Sequence, residues 1–130
     1  PANLVIGFHP DDPLISEYTL SVAEAAERLS KREALFIDLR EASERERDGV
    51  IPGSIHAPYP IFGSSVKSGG LMNAMVNETG KSLLLYCAYG ERSALALKLL
   101  NKYGTENAYH LGGGINAWKN AGLPLENPSS

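Results

Sequence analysis

Cysteine occurs once in the 130 residues, at position 87. A single thiol excludes an internal disulfide, a paired-cysteine redox motif and any zinc site built on several cysteines, and it fits a reducing setting. Long apolar runs are missing too. The purest, Leu83-Leu84-Leu85, is strand-sized, far below the ~18 residues that a membrane span needs. A basic surplus is also missing: 12 Lys plus Arg stand against 15 Asp plus Glu, a net charge of −3, which argues against nucleic acid as a partner. The first residues, Pro1-Ala2-Asn3-Leu4, show no basic stretch leading into an apolar one, so the expected location is the cytoplasm, with no membrane partner. No repeat or linker divides the chain. What is present, 43% hydrophobic and 21% charged residues, is the make-up of one ordinary folded domain.

The order of patterns points to fold class. Residues 1–18, with Pro10, Pro13 and Asp11-Asp12, read as an extended arm. Thr19-Leu20 is strand-like, and Ser21 lies three residues before Glu24, the spacing of a capping box, at the head of an amphipathic helix over residues 22–29. Residues 34–40 form a short apolar run that ends in charge, as a buried strand does. Residues 41–47 read as a solvated, charged helix stopped by Gly49, and Ile55-His56 as a short extended piece. Residues 58–80 carry Pro58, Pro60 and four glycines around a helix near residues 72–77. Residues 82–87 are a strand. Residues 92–103 are a helix with Ala94, Leu95, Leu97, Leu99 and Leu100 as its buried stripe. A last strand over 107–111 and a last helix over 115–120 follow, closed by Gly122 and Pro124. Alternating strands and helices imply an α/β fold, a central, mostly parallel sheet with helices on both faces. The domain is expected over residues 19–125, with a tail over 126–130. Such sheets bind ligands beyond the carboxyl ends of their strands, which is where Cys87 falls.

Cys87-Ala88-Tyr89-Gly90-Glu91-Arg92-Ser93 joins a strand to a helix. By default a lone cysteine at a strand end is a small buried hydrophobe. Against that reading, a tight loop entering a helix turns backbone N–H groups inward and adds the partial positive charge of the helix start, a setting that favours a sulfur anion. Gly90 supplies the backbone freedom such a loop needs, and the Arg92 guanidinium adds charge. His9, His56 and His110 have no metal-ligand spacing and read as structural or exposed, although His56 could approach the site. Gly112-Gly113-Gly114 comes too late for a dinucleotide loop, since no room remains for a following strand. Trp118 reads as core.

Taken together, four motifs in order resemble the rhodanese family of sulfurtransferase domains: Ile37-Asp38-Leu39-Arg40, Val50-Ile51-Pro52-Gly53-Ser54-Ile55-His56-Ala57, the loop from Cys87 to Arg92, and Gly112-Gly113-Gly114-Ile115-Asn116-Ala117-Trp118. The resemblance covers residues 19–125. It implies a rhodanese-like fold and a sulfurtransferase working through a Cys87 persulfide. Thiosulfate or another persulfide would give the sulfane sulfur, and cyanide, a thiol or a partner protein would accept it. Ala88, Tyr89, Gly90, Glu91 and Arg92 would cradle the sulfur, with Arg92 holding both the loop and the anion. Asp38, Arg40 and Ser93 would support the site, and no metal or organic cofactor would be required. Glu91 puts a carboxylate where a dianionic donor would arrive, so thiosulfate is expected to be a poor donor. Residues 58–80, longer than in a minimal member, are expected to shape the entrance or a partner surface. A non-transferring carrier or sensor module is the alternative. Oxyanion hydrolysis or arsenate reduction is weaker still, because related cysteine phosphatases and arsenate reductases place five residues, not four, between cysteine and arginine.

Overall fold

The apolar runs at 34–38, 82–86 and 108–111 become strands in a computed structural model that describes residues 17–67, 70–105 and 107–128. The expected N-terminal arm lies, up to residue 16, outside the described residues. In chain order the elements are β1 (Thr19–Leu20), α1 (Val22–Ser30), β2 (Ala34–Asp38), α2 (Ala42–Asp48), β3 (Ile55–His56), α3 (Tyr59–Lys67), α4 (Leu71–Thr79), β4 (Ser82–Tyr86), α5 (Glu91–Lys102), β5 (Ala108–Leu111) and α6 (Gly114–Asn120). The strands form one sheet in the order β1-β5-β4-β2-β3, every pair parallel. No helix among the described residues is long and apolar enough to cross a membrane.

Side chains alternate across a strand, and β4 divides the core accordingly. Leu83, Leu85 and then Cys87 face one side, packed with Ile37, Phe62, Val66, Met72, Leu97 and Leu100. Leu84 and Tyr86 face the other, packed with Ala25, Phe36, Ile51, Ile115 and Trp118. Both faces are covered by helices, which is why β4 is buried along its whole length.

Local signals set the helix ends. The Ser21–Glu24 capping box forms in both directions, with the Glu24 N–H on Ser21 Oγ at 3.1 Å and the Ser21 N–H on Glu24 Oε1 at 2.8 Å. The predicted helix near residues 72–77 is α4. Helix α3 goes beyond the one helix that the sequence suggests in residues 58–80. Pro60 lies in the first turn, where its missing N–H has no helical partner to lose, and the N–H groups of Ile61 and Phe62 both reach Pro58 O at 2.9 Å. The stripe of α5 is also rotated from the expected one. Ser93, Ala94, Ala96, Leu97 and Leu100 are buried, while Leu95 is 38% exposed. Beyond α6, Val50 and Glu126 exchange backbone hydrogen bonds at 2.9 and 2.8 Å.

Candidate functional site

The parallel sheet sends the carboxyl ends of β2, β4 and β5 to one edge, and the loops that leave them meet there. Cys87 follows β4 directly and has no exposed surface. Its Sγ accepts the Gly90 N–H at 3.1 Å and lies 3.7 Å from Ser93 Oγ. Gly90 is the N-cap of α5 with φ +117°, a region that favours glycine, and this is what turns the amide back onto the sulfur. The expected convergence of the amides of residues 88–92 thus comes down to one recorded hydrogen bond. Ala88 is half-buried, Tyr89 is 62% exposed and Glu91 is exposed.

Arg92 does not reach the sulfur by hydrogen bond. Its guanidinium donates two parallel bonds of 2.8 Å to the Glu44 carboxylate on α2. This pairing holds Glu44 down to about 2, despite partial burial, and with the charge at Cys87 raises Arg92. The correction concerns both partners. Arg92 anchors the loop sideways and acts on Cys87 only through space. The run 41–47, read as a solvated face, carries the anchor.

Asp38 and Arg40 lie on the sheet face opposite Cys87. Asp38 is fully buried and accepts from Arg40 Nη2 at 2.8 Å, from Arg45 Nε at 3.1 Å and from the Tyr86 hydroxyl at 2.8 Å. Burial would raise its carboxyl, and the Arg40 side chain and amide outweigh it, so the carboxyl stays below its ordinary value. Arg40 also donates to Gly49 O at 2.8 Å. The pair therefore locks β2 to α2 and to the turn after it, and α2 in turn holds Arg92. His56 donates from Nε2 to Arg40 O at 2.7 Å, a structural place as expected; His9 lies outside the described residues.

The contacts of two stretches already singled out in the sequence escape sequence reasoning. His110, read as structural, is buried on β5 with Nδ1 2.9 Å from Ser93 Oγ, one side chain behind the sulfur. The glycine run before α6 presses that helix onto the loop: the N–H groups of Ile115 and Asn116 donate to the carbonyls of Cys87 and Ala88 at 2.9 and 3.1 Å. Beside the loop a cleft of about 400 Å³ opens between α2 and α6, walled by Ala88, Tyr89, Glu44, Arg47, Asn116 and Lys119 among others. From residues 58–80, Phe62 and Val66 on α3 and Met72 on α4 pack against the Cys87 face of the sheet.

The comparisons agree with this geometry. The family model described as a Rhodanese-like domain matches residues 21–121. An uncharacterized protein of Synechocystis is 36% identical over 62% of this chain, which spans about half of that relative's length (49%). A sulfurtransferase of Allochromatium vinosum is 30% identical over 79% of this chain and 92% of its own. The solved structure of a Rhodopseudomonas palustris protein of unknown function, described as a possible tyrosine phosphatase, superposes with a TM-score of 0.73 at 33% identity, covering 83% of each chain. With the family model spanning most of its length, this chain belongs to the rhodanese-like domain family.

Proposed function

We propose that the protein is a sulfurtransferase that carries sulfane sulfur on Cys87. The observation that carries the reading is the buried Cys87 Sγ accepting the Gly90 N–H at 3.1 Å where β4 runs into α5. An amide aimed at sulfur beside a helix start stabilises a sulfur anion, and a thiolate is the form that attacks. Membership of the family and the sulfurtransferase names of relatives support a sulfur-related function.

In the first step the Cys87 thiolate attacks the outer sulfur of thiosulfate or of a persulfide. A new S–S bond forms as the donor's S–S bond breaks, and sulfite or a thiolate leaves with the bonding pair. In the second step a thiophilic acceptor, cyanide, a small thiol or a protein thiol, attacks the outer sulfur of the Cys87 persulfide and returns the thiolate. Donor and acceptor approach through the cleft beside Ala88 and Tyr89. Glu91, exposed at the head of α5, makes a doubly negative donor less welcome there than a neutral or protein-bound persulfide.

Complete burial of Cys87 favours one second reading, a module that holds sulfur without passing it on. Intact-mass measurement after incubation with thiosulfate or a persulfide, followed by cyanide, separates the two. A one-sulfur gain that cyanide removes, absent in Cys87→Ser, is the expected result. A gain that no acceptor removes selects the module, and no gain with any donor overturns both.

A further inference from the structure

Behind the sulfur runs a buried line of side chains that the transfer steps do not themselves use. Ser93 Oγ, in the first turn of α5, lies 3.7 Å from Cys87 Sγ, 3.1 Å from Gly90 O and 2.9 Å from His110 Nδ1. On its other side His110 Nε2 is 2.9 Å from Thr19 Oγ1 on β1. Ser93 and His110 have no exposed surface. Burial pushes His110 down to about 4, so at neutral pH the ring is uncharged, with one nitrogen protonated and one bare.

The hydroxyl of Ser93 has one proton and three neighbours. Gly90 O can only accept, and a sulfur anion can only accept. If His110 Nδ1 were bare, it would compete for that one proton, and an anion at Cys87 would lose its hydroxyl donor. If Nδ1 carries the proton, it donates to Ser93 Oγ, and the hydroxyl proton stays available. With a thiol at position 87 the S–H points to Oγ and the O–H to Gly90 O. When the thiol proton leaves, the O–H turns onto the sulfur, and each donor in the line strengthens the next.

We propose that His110 is a positioning residue: as the Nδ1–H tautomer it fills the acceptor side of Ser93 Oγ and directs the Ser93 hydroxyl onto the Cys87 sulfur anion. The inference rests on the reading that Cys87 reacts as an anion, and is independent of which donor or acceptor it serves. Among the described residues, Arg92 on α5 interacts electrostatically with Cys87, and its partner is Glu44 on α2. Glu91 on α5 is exposed, and Tyr86 on β4 turns to Asp38 on the opposite face.

The test is the pH profile of Cys87 alkylation by iodoacetamide, normalised to its high-pH plateau so that access to the buried sulfur cancels. His110→Leu and Ser93→Ala should each displace the profile to higher pH, lowering the normalised rate near neutrality by about ten-fold, the scale of one hydrogen bond to a charged group. The double variant should lose little more than either single one. His110→Asn, whose amide N–H sits where Nδ1–H does, should restore the parent profile. An unchanged profile in His110→Leu, a displacement to lower pH, or a rise that Asn fails to rescue would overturn the assignment. Because alkylation needs no sulfur donor, a failure of persulfide formation in the mass experiment leaves this outcome readable on its own.

Discussion

Gly114→Ala probes how closely the glycine run holds the reactive loop. Gly114 has φ +63°, and a Cβ built on it would lie 2.4 Å from Ala88 O, 2.5 Å from Ala88 C and 2.6 Å from Cys87 O. All three are backbone atoms of the loop. Restoring ordinary van der Waals contact requires the Cys87–Ala88 peptide or the start of α6 to retreat by about 1 Å. The left-handed backbone costs alanine about 1–2 kcal/mol and the forced shift about 1–3 kcal/mol more, a total of about 2–5 kcal/mol. Gly122→Ala is the matched control: its φ is +74° with nothing within 4 Å of the added Cβ, so it carries only the first part. Equilibrium urea unfolding of the two variants therefore isolates the steric share. Sulfur transfer should separate them further, since a displacement of ~1 Å at a reacting group can cost on the order of a hundred-fold in rate. If Gly114→Ala unfolds and turns over like Gly122→Ala, α6 does not hold the loop in place and the reasoning fails.

Glu44→Gln should lose about 1 kcal/mol of stability, the upper range for a partly exposed but bidentate pair. Glu44 is held at about 2 against an ordinary 4.5. A lowered carboxyl stabilises the fold fully above its unfolded value and stops doing so as pH falls through its folded one. The gap between parent and variant should thus be constant above pH ~5 and close towards pH ~2; a gap that persists at pH ~2 would refute the pairing. Asp38→Asn should be harsher, about 3–5 kcal/mol by chemical denaturation, because it leaves Arg40 buried without its counter-charge; a loss below about 1 kcal/mol would contradict the network. Its carboxyl is also lowered, so this gap too should narrow in acid, below the ordinary Asp value of 3.8. Glu91→Gln should raise turnover with thiosulfate by about two- to five-fold, a screened surface charge being worth at most about 1 kcal/mol, while a neutral persulfide donor shows no change; equal effects on both donors would remove the charge argument.

What the sequence reveals is what short-range chemistry dictates. The strand ending at Tyr86, the capping box at Ser21 and Glu24, and Gly90 at a positive φ each follow from a few adjacent residues. Alternation of strands and helices is enough for the parallel sheet. Contacts made between elements are hidden. Glu44 and Arg92 are 48 residues apart and, in the linear chain, Glu44 is one charge among several in residues 41–48. His110 follows Cys87 by more than twenty positions and carries no spacing signature; only the β4–β5 register, Leu85 opposite His110, brings it behind the cysteine. Leu95 reads as part of the buried stripe because it is apolar, but α5 turns its Ser93–Leu97–Leu100 face to the sheet and leaves Leu95 outward. A buried serine on that face is the signal a reader could have used, since a hydroxyl there needs a polar partner.

The destination of Arg92 also bears on which cargo the loop is built for. A loop that binds a tetrahedral oxyanion needs a guanidinium free to turn inward and enough backbone to encircle three oxygens. Here four residues separate Cys87 from Arg92, and both terminal nitrogens of Arg92 are committed to Glu44 at 2.8 Å. Turning the side chain inward would break two charge-assisted bonds and leave Glu44 without its partner. The inward-facing groups are instead one amide and one hydroxyl, from Gly90 and Ser93, a donor set matched to a single sulfur atom. A phosphate-ester assay is expected to give no turnover with the parent protein. Hydrolysis that Cys87→Ser abolishes would show that Arg92 leaves Glu44 in the working state, and would return the oxyanion chemistry that this geometry argues against.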